Sequence, residues 1–290
     1  MAHYIPNILL NDGNHIPAFG IGFHHSVTTV SDQISVALQL GIRHIQVTSL
    51  DLLEAIRLAI EQSAMSWTYI FISAKVGRGA DLRQEVEDIL LQLKRPYLDM
   101  CLLDSRWPGT QDRLINAWTV MEDIKARGLA RSIGVSNNWS KEQLEIIFAE
   151  ARHYLPAINE QEFHPFCNQE DYLQWTKCCG IVTCSFRLLE QFIQESKKYP
   201  AFTTNILTPR SVLRWIQLSG VITFELVEQL KMYETSQTHN QYQAIKALAT
   251  LRPRLEGHGA SRALKEEKLV AEMGEREACR AVEKERSVIR

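Results

Sequence analysis

An excess of charge of either sign is what this sequence lacks. Its 32 basic and 34 acidic residues leave a formal net charge of −2, so no global field draws it to nucleic acid or to an anionic lipid surface. Cysteine is sparse as well. The six present among 290 residues (Cys101, Cys167, Cys178, Cys179, Cys184 and Cys279) make no CxxC pair. That spacing excludes a disulfide framework and a zinc ribbon, leaves buried free thiols as the reading, and gives no metal site. No run of about 18 apolar residues occurs, and the opening MAHYIPNILLNDG has no basic stretch followed by an apolar one. The expectation is a cytoplasmic protein with no membrane span and no nucleic-acid partner.

What is present reads as a globular α/β chain, with 45% hydrophobic and 23% charged residues. From residue 16 to about 233, short β-branched runs alternate with longer segments of helical period. The runs are IPAFGIG (16–22), RHIQVT (43–48), YIFISAK (69–75), LDMCLL (98–103), RSIGVS (131–136), PAINEQ (156–161), GIVTCS (180–185) and GVITF (220–224). Parallel strands joined by crossover helices give this alternation, and eight of them close a (β/α)8 TIM barrel. Between them, VEDILLQLK (86–94) and LINAWTVMEDIKARG (114–128) place apolar residues at helical spacing, and the second ends in Lys125, Arg127 and Gly128. Ser140 with Gln143 three residues on predicts a capping box.

The composition changes after residue 250. From Arg252 to Arg290, 18 of 39 residues are charged. Two parts are therefore expected: residues 1–250 as the barrel and 251–290 as a charged, partly helical C-terminal tail, either a solvated appendage or a contact element for a protein partner.

Chemistry in such a barrel comes from the C-terminal ends of the strands and the loops after them. The residues there are Gln46, Leu50 and Asp51 after the second strand, Lys75 on the third, Asp104 after the fourth, Ser136 and Asn137 on the fifth, Glu160 and Glu162 on the sixth, and Phe186 after the seventh. His24 and His25 form a loop pair or pocket lining, a third metal ligand being absent from their neighbourhood in sequence. Trp107 and Pro108 stand as cleft walls or core packing, and Glu162 with His164 as buried hydrogen-bonding groups.

Several stretches in order, NDGNHIPAFGIG, GIRHIQVTS, LKRPYLDMCLLDSRWPG, GLARSIGVSN, PAINEQEFHPF and GIVTCSF, resemble the aldo-keto reductases over about residues 7–233. The resemblance implies a barrel with an N-terminal β-hairpin, NADP or NAD as cofactor, and a small carbonyl compound as substrate. In that family a tyrosine protonates the carbonyl oxygen as hydride arrives. A lysine held by an aspartate tunes the phenol, and a histidine orients the substrate.

Mapped residue by residue, this tetrad is degenerate. The aspartate position holds Gln46, the tyrosine falls at Leu50 or Asp51, the histidine position holds Asp104, and Lys75 alone keeps its type. An ene-reducing branch of the family also carries an acid at the histidine position. If Asp51 and Asp104 both face Lys75, they form a charged triad with it. Ser136 and Asn137 match the groups that hold the nicotinamide carboxamide, and Phe186 the aromatic that stacks on its ring. Glu160 replaces a glutamine, and Arg187 a small residue. A carboxylate accepts from an amide NH₂ but cannot donate to its oxygen. The helix after strand eight is expected to begin with Glu225, Leu226 and Val227 instead of phosphate-binding groups, with Lys231 the only base nearby. Weak dinucleotide binding with little preference between NADP and NAD is the expectation. Two functions follow: a divergent nicotinamide-dependent carbonyl oxidoreductase with weak activity, or a catalytically silent relative kept as a binding or interaction module.

Overall fold

The computed structural model describes residues 5–23, 30–77, 79, 81–105, 111–137, 139–164, 167, 169–186, 188, 212, 216 and 220–225, the last by its backbone only. His24, His25, Trp107, Pro108, Arg187, Lys231 and the whole tail lie outside these residues.

Two short strands, β1 (Asn7–Leu9) and β2 (His15–Pro17), pair antiparallel as a hairpin. The barrel strands follow: β3 (Phe19–Ile21), β4 (His44–Val47), β5 (Phe71–Val76), β6 (Leu98–Asp104), β7 (Ala130–Ser136), β8 (Ile158–Gln161), β9 (Val182–Phe186) and β10 (Ile222–Glu225). They close in the order β10-β3-β4-β5-β6-β7-β8-β9, and every neighbouring pair is parallel. All eight expected runs become barrel strands.

Two boundaries differ from the sequence reading. The run 16–22 is not one strand. Pro17 has no N–H to carry a ladder onward, so the hairpin ends there. Ala18 then donates to the Pro6 carbonyl at 2.9 Å and accepts from Thr223 at 3.2 Å, which moves the chain from hairpin to barrel in one residue. Glu225, expected to open a helix, is instead the last residue of β10 and pairs with Ile21.

The crossovers are α1 (Val30–Gln39), α2 (Leu53–Gln62), α3 (Leu82–Leu93), α4 (Gln111–Ala126), α5 (Lys141–Glu150) and α6 (Glu170–Cys178). Their ends follow the local code. Asp81 caps α3 by accepting from the N–H groups of Arg83 and Gln84. Ser140 and Gln143 form the expected capping box on α5. Gly128, in the left-handed region at a φ of 74° that most side chains avoid, follows the end of α4.

Apolar side chains form two cores. One lies between strands and helices, with Ile56, Val86, Ile89, Trp118 and Ile147 facing Ile45, Ile72, Cys101 and Ile133. The other fills the barrel with Met100, Leu102, Ile158, Cys184, Ile222 and Phe224, joined by Leu10 and Ile16 from the hairpin. The hairpin is fixed by Asn11 Nδ2 on the Pro156 carbonyl, by Asn14 Nδ2 on Ser132 and the Arg131 carbonyl, and by an ion pair of Asp12 with Lys125. It plugs the end of the barrel opposite the strand C-termini.

Gly134 on β7 shows how tightly the barrel closes. A Cβ there would stand 2.6 Å from the Ile158 carbonyl oxygen and 2.9 Å from Ile158 Cγ1. The clashing oxygen is backbone in the neighbouring strand and has nowhere to swing. Gly134→Ala is expected to cost about 1–3 kcal/mol, lowering Tm by roughly 5 °C in thermal unfolding followed by circular dichroism. An unchanged midpoint would mean that β7 and β8 part freely.

Candidate functional site

The strand C-termini bring most of the expected residues together. Lys75 is the fifth residue of β5, Asp104 the last of β6, Ser136 the last of β7, and Phe186 the last of β9. Asn137 follows β7 directly, with φ of 77°, a left-handed conformation that asparagine tolerates better than most residues. Its Nδ2 donates to Asp104 Oδ1 at 3.1 Å, and its N–H donates to the Glu160 carbonyl at 2.9 Å. Ser105 Oγ donates to the Asn137 carbonyl, and Trp139 Nε1 to the Ser136 carbonyl at 2.8 Å. Ser105 and Trp139 brace the turn after β7, and the sequence reading assigned them no part.

The centre of the network is Glu160. Its side chain is fully buried, and its two oxygens accept from different residues: Oε1 from Lys75 Nζ and Oε2 from Gln46 Nε2. Around the ring β8 and β4 are four strands apart, so these side chains meet across the barrel interior. Lys75, 12% exposed, also lies over the Phe186 ring, 5.0 Å from its centroid. Cys184 sits beside Glu160 in the strand register. Burial first, then the nearby Glu160 carboxylate, hold its thiol well above the usual range against the opposing pull of Lys75, so it is no thiolate nucleophile.

Asp51 does not join this group. Leu52 and Leu53 are buried and turn the 3-10 segment Leu50–Leu52 so that Asp51 is exposed, with the Ser49 hydroxyl 3.4 Å from its carboxylate. Leu50 is exposed as well. Lys75 pairs with Glu160 and with neither Asp51 nor Asp104, so the triad expected of these three is not formed. Glu162 and His164 bond each other, Nε2 to Oε1 at 2.8 Å, with His164 buried. No group of three or more metal-ligating side chains occurs among the described residues.

The groups that the resemblance assigns to a nicotinamide fit it poorly. Asn137 spends an amide proton on Asp104, Glu160 faces Lys75 and Gln46 from a fully buried position, and the ammonium covers a face of Phe186. Ser136 Oγ is buried and without a hydrogen-bond partner. A carboxamide needs both a donor and an acceptor aimed at it, and this arrangement aims neither from position 160.

Comparison with known proteins agrees with the barrel. The model of the Aldo/keto reductase family matches residues 27–253. The chain is 30% identical over 227 residues to methylglyoxal reductase DkgA of Yersinia pestis, covering 75% of this chain and 80% of that protein. It is 31% identical over 229 residues to an aldo-keto reductase of Mycobacterium sp. (strain MCS), with 75% and 80% covered. A crystal structure of an aldo/keto reductase from Brucella melitensis superposes with a TM-score of 0.73 at 25% identity, over 84% of this chain and 100% of that one.

Proposed function

Because the chain belongs to the aldo/keto reductase family, we propose that it is a catalytically silent member of it, which keeps the barrel as a binding module and reduces carbonyl compounds only residually. One observation carries this reading: Lys75, the tetrad residue that kept its type, is ion-paired across the barrel with Glu160, while the position of the phenol is filled by Leu50 and Asp51 on an exposed turn. Among the described residues no phenol stands beside a lysine so engaged, and the turn that would carry the usual proton donor is exposed. The preserved Ser136, Asn137 and Phe186 favour the second reading, a weak nicotinamide-dependent carbonyl oxidoreductase in which Asp104 supplies the acid.

The family generally uses NAD(P)H. Here the proposal is that NADP and NAD are held weakly and alike, because Glu160 and Asn137 are already engaged and Glu225 stands at the end of β10. Residues 1–250 form the barrel domain in this reading, which the end of the family match at residue 253 supports. The charged tail 251–290 serves as the contact element for a protein partner. No helix among the described residues is long and apolar enough to cross a membrane, which fits the proposed cytoplasmic location.

Titration with NADPH and NADH, followed by quenching of tryptophan fluorescence, tests the cofactor part. Each missing charged contact removes about 1.5–3 kcal/mol, tenfold or more in affinity. Both dinucleotides are expected to bind with Kd values above the micromolar range and within a few-fold of each other. A sub-micromolar Kd with strong selectivity for NADPH would overturn it.

A further inference from the structure

We infer that Glu160 is the positioning residue of Lys75 and that Gln46 holds Glu160 in place, so that the lysine's counter-charge sits on β8 and not on β4. The assignment deepens the silent reading in one respect, since it takes Lys75 to be occupied by a carboxylate. The geometry gives the three residues separate parts. Glu160 is buried and offers one oxygen to each neighbour, Lys75, its side chain 12% exposed, pairs with no other carboxylate among the described residues, and Gln46, 2% exposed, gives its NH₂ to the remaining oxygen. An unpaired charge in such a place is disfavoured strongly, so each member requires the others.

Position 46 is placed to take the charge back. Gln46 pairs with Ser73 in the β4–β5 register, and Lys75 lies two residues beyond Ser73 on the same face. Such diagonal neighbours are within reach of a long side chain. A carboxylate at 46 would accept from Lys75, and an amide at 160 would donate to that carboxylate. The reciprocal exchange keeps both the net charge of the cluster and its count of donors and acceptors. Either half alone does not. Glu160→Gln leaves the ammonium with no counter-charge, and Gln46→Asp sets two buried carboxylates against each other.

The test is a cycle of Gln46→Asp, Glu160→Gln and the two combined, run without cofactor or substrate, so that its outcome is separate from any activity. Each single substitution is expected to lower Tm by roughly 10 °C, and the combination to recover more than half of the summed loss. A second readout follows the lysine itself. Peptide mass spectrometry after treatment with an amine-acylating reagent should find Lys75 protected in the wild type, modified in Glu160→Gln and protected again in the combination. Losses that simply add, or a Lys75 equally protected in all four proteins, would overturn the assignment. If Glu160→Gln is insoluble, a soluble and folded combination supports the coupling, and an insoluble one overturns it.

Discussion

Given NADPH and a panel of aldehydes, ketones and enones, the purified protein will turn over at least about 100-fold more slowly than a family member with an intact tetrad. A positioned acid contributes about 10²–10⁴ in rate, and here the donor, the aspartate that holds the tuning lysine and the carbonyl positioner are replaced together. Such groups act as a unit, so their losses do not multiply, and proximity leaves a residue of hydride transfer. Whatever rate remains is expected to fall further in Asp104→Asn and in Lys75→Met, both checked for native circular dichroism. Asp104 is the buried acid at the end of β6, and Lys75 the one cation in the described network. Rapid oxidation of NADPH by the wild type would overturn the silent reading. A residual rate untouched by both substitutions would move the site elsewhere.

The second large effect lies at the opposite end of the barrel and concerns acid. His44, the first residue of β4, is fully buried. Its Nε2 is 2.9 Å from Ser73 Oγ, and the rings of Phe71 and Phe224 each stand edge-on at 4.5 Å. Burial pushes the imidazole down from 6.5 to about 3; the Pro17 carbonyl opposes this only in part, and Nδ1 makes no hydrogen bond. Below the ordinary histidine range the unfolded chain takes up a proton that the folded chain refuses. Stability is therefore complete above pH of about 6.5 and falls as the pH drops from there towards 3, by about 1.4 kcal/mol per unit. Between about pH 6 and pH 4 this amounts to roughly 3 kcal/mol. His44→Gln keeps a partner for Ser73 and cannot titrate. Urea unfolding across that range should show the wild type losing stability more steeply than the variant. Parallel curves would mean that the imidazole is protonated inside the fold.

The barrel was legible because strand and helix periods are local. Each β-branched run of five to seven residues announced a strand, and Ser140 with Gln143 announced a helix start. Boundaries failed where the cause was distant: the chain enters the barrel at Ala18 because Thr223, 205 residues on, donates to its carbonyl while Pro6 still accepts from its N–H. The same limit governs the site. Sequence position places Lys75, Asp104, Ser136 and Phe186 at one mouth, since every strand of a parallel barrel ends there. It does not say which inward side chains touch. Gln46 and Glu160 are 114 residues apart and meet across the lumen. A signal was present in the paired replacement of an acid by an amide at 46 and of an amide by an acid at 160, but only when the two are read together. Asp51 misled because it was read without the neighbouring Leu52 and Leu53, whose burial turns it outward.

The ring of barrel strands closes through β10 and β3, where Thr223, Phe224 and Glu225 pair with Phe19, Gly20 and Ile21. A closed ring offers no row of free backbone N–H and C=O groups. A partner cannot extend this sheet by adding a strand of its own, as extended peptides do at open sheet edges. Anything that recognises the barrel must read side chains and loops, and an unfolded neighbour finds no template on it for aggregation.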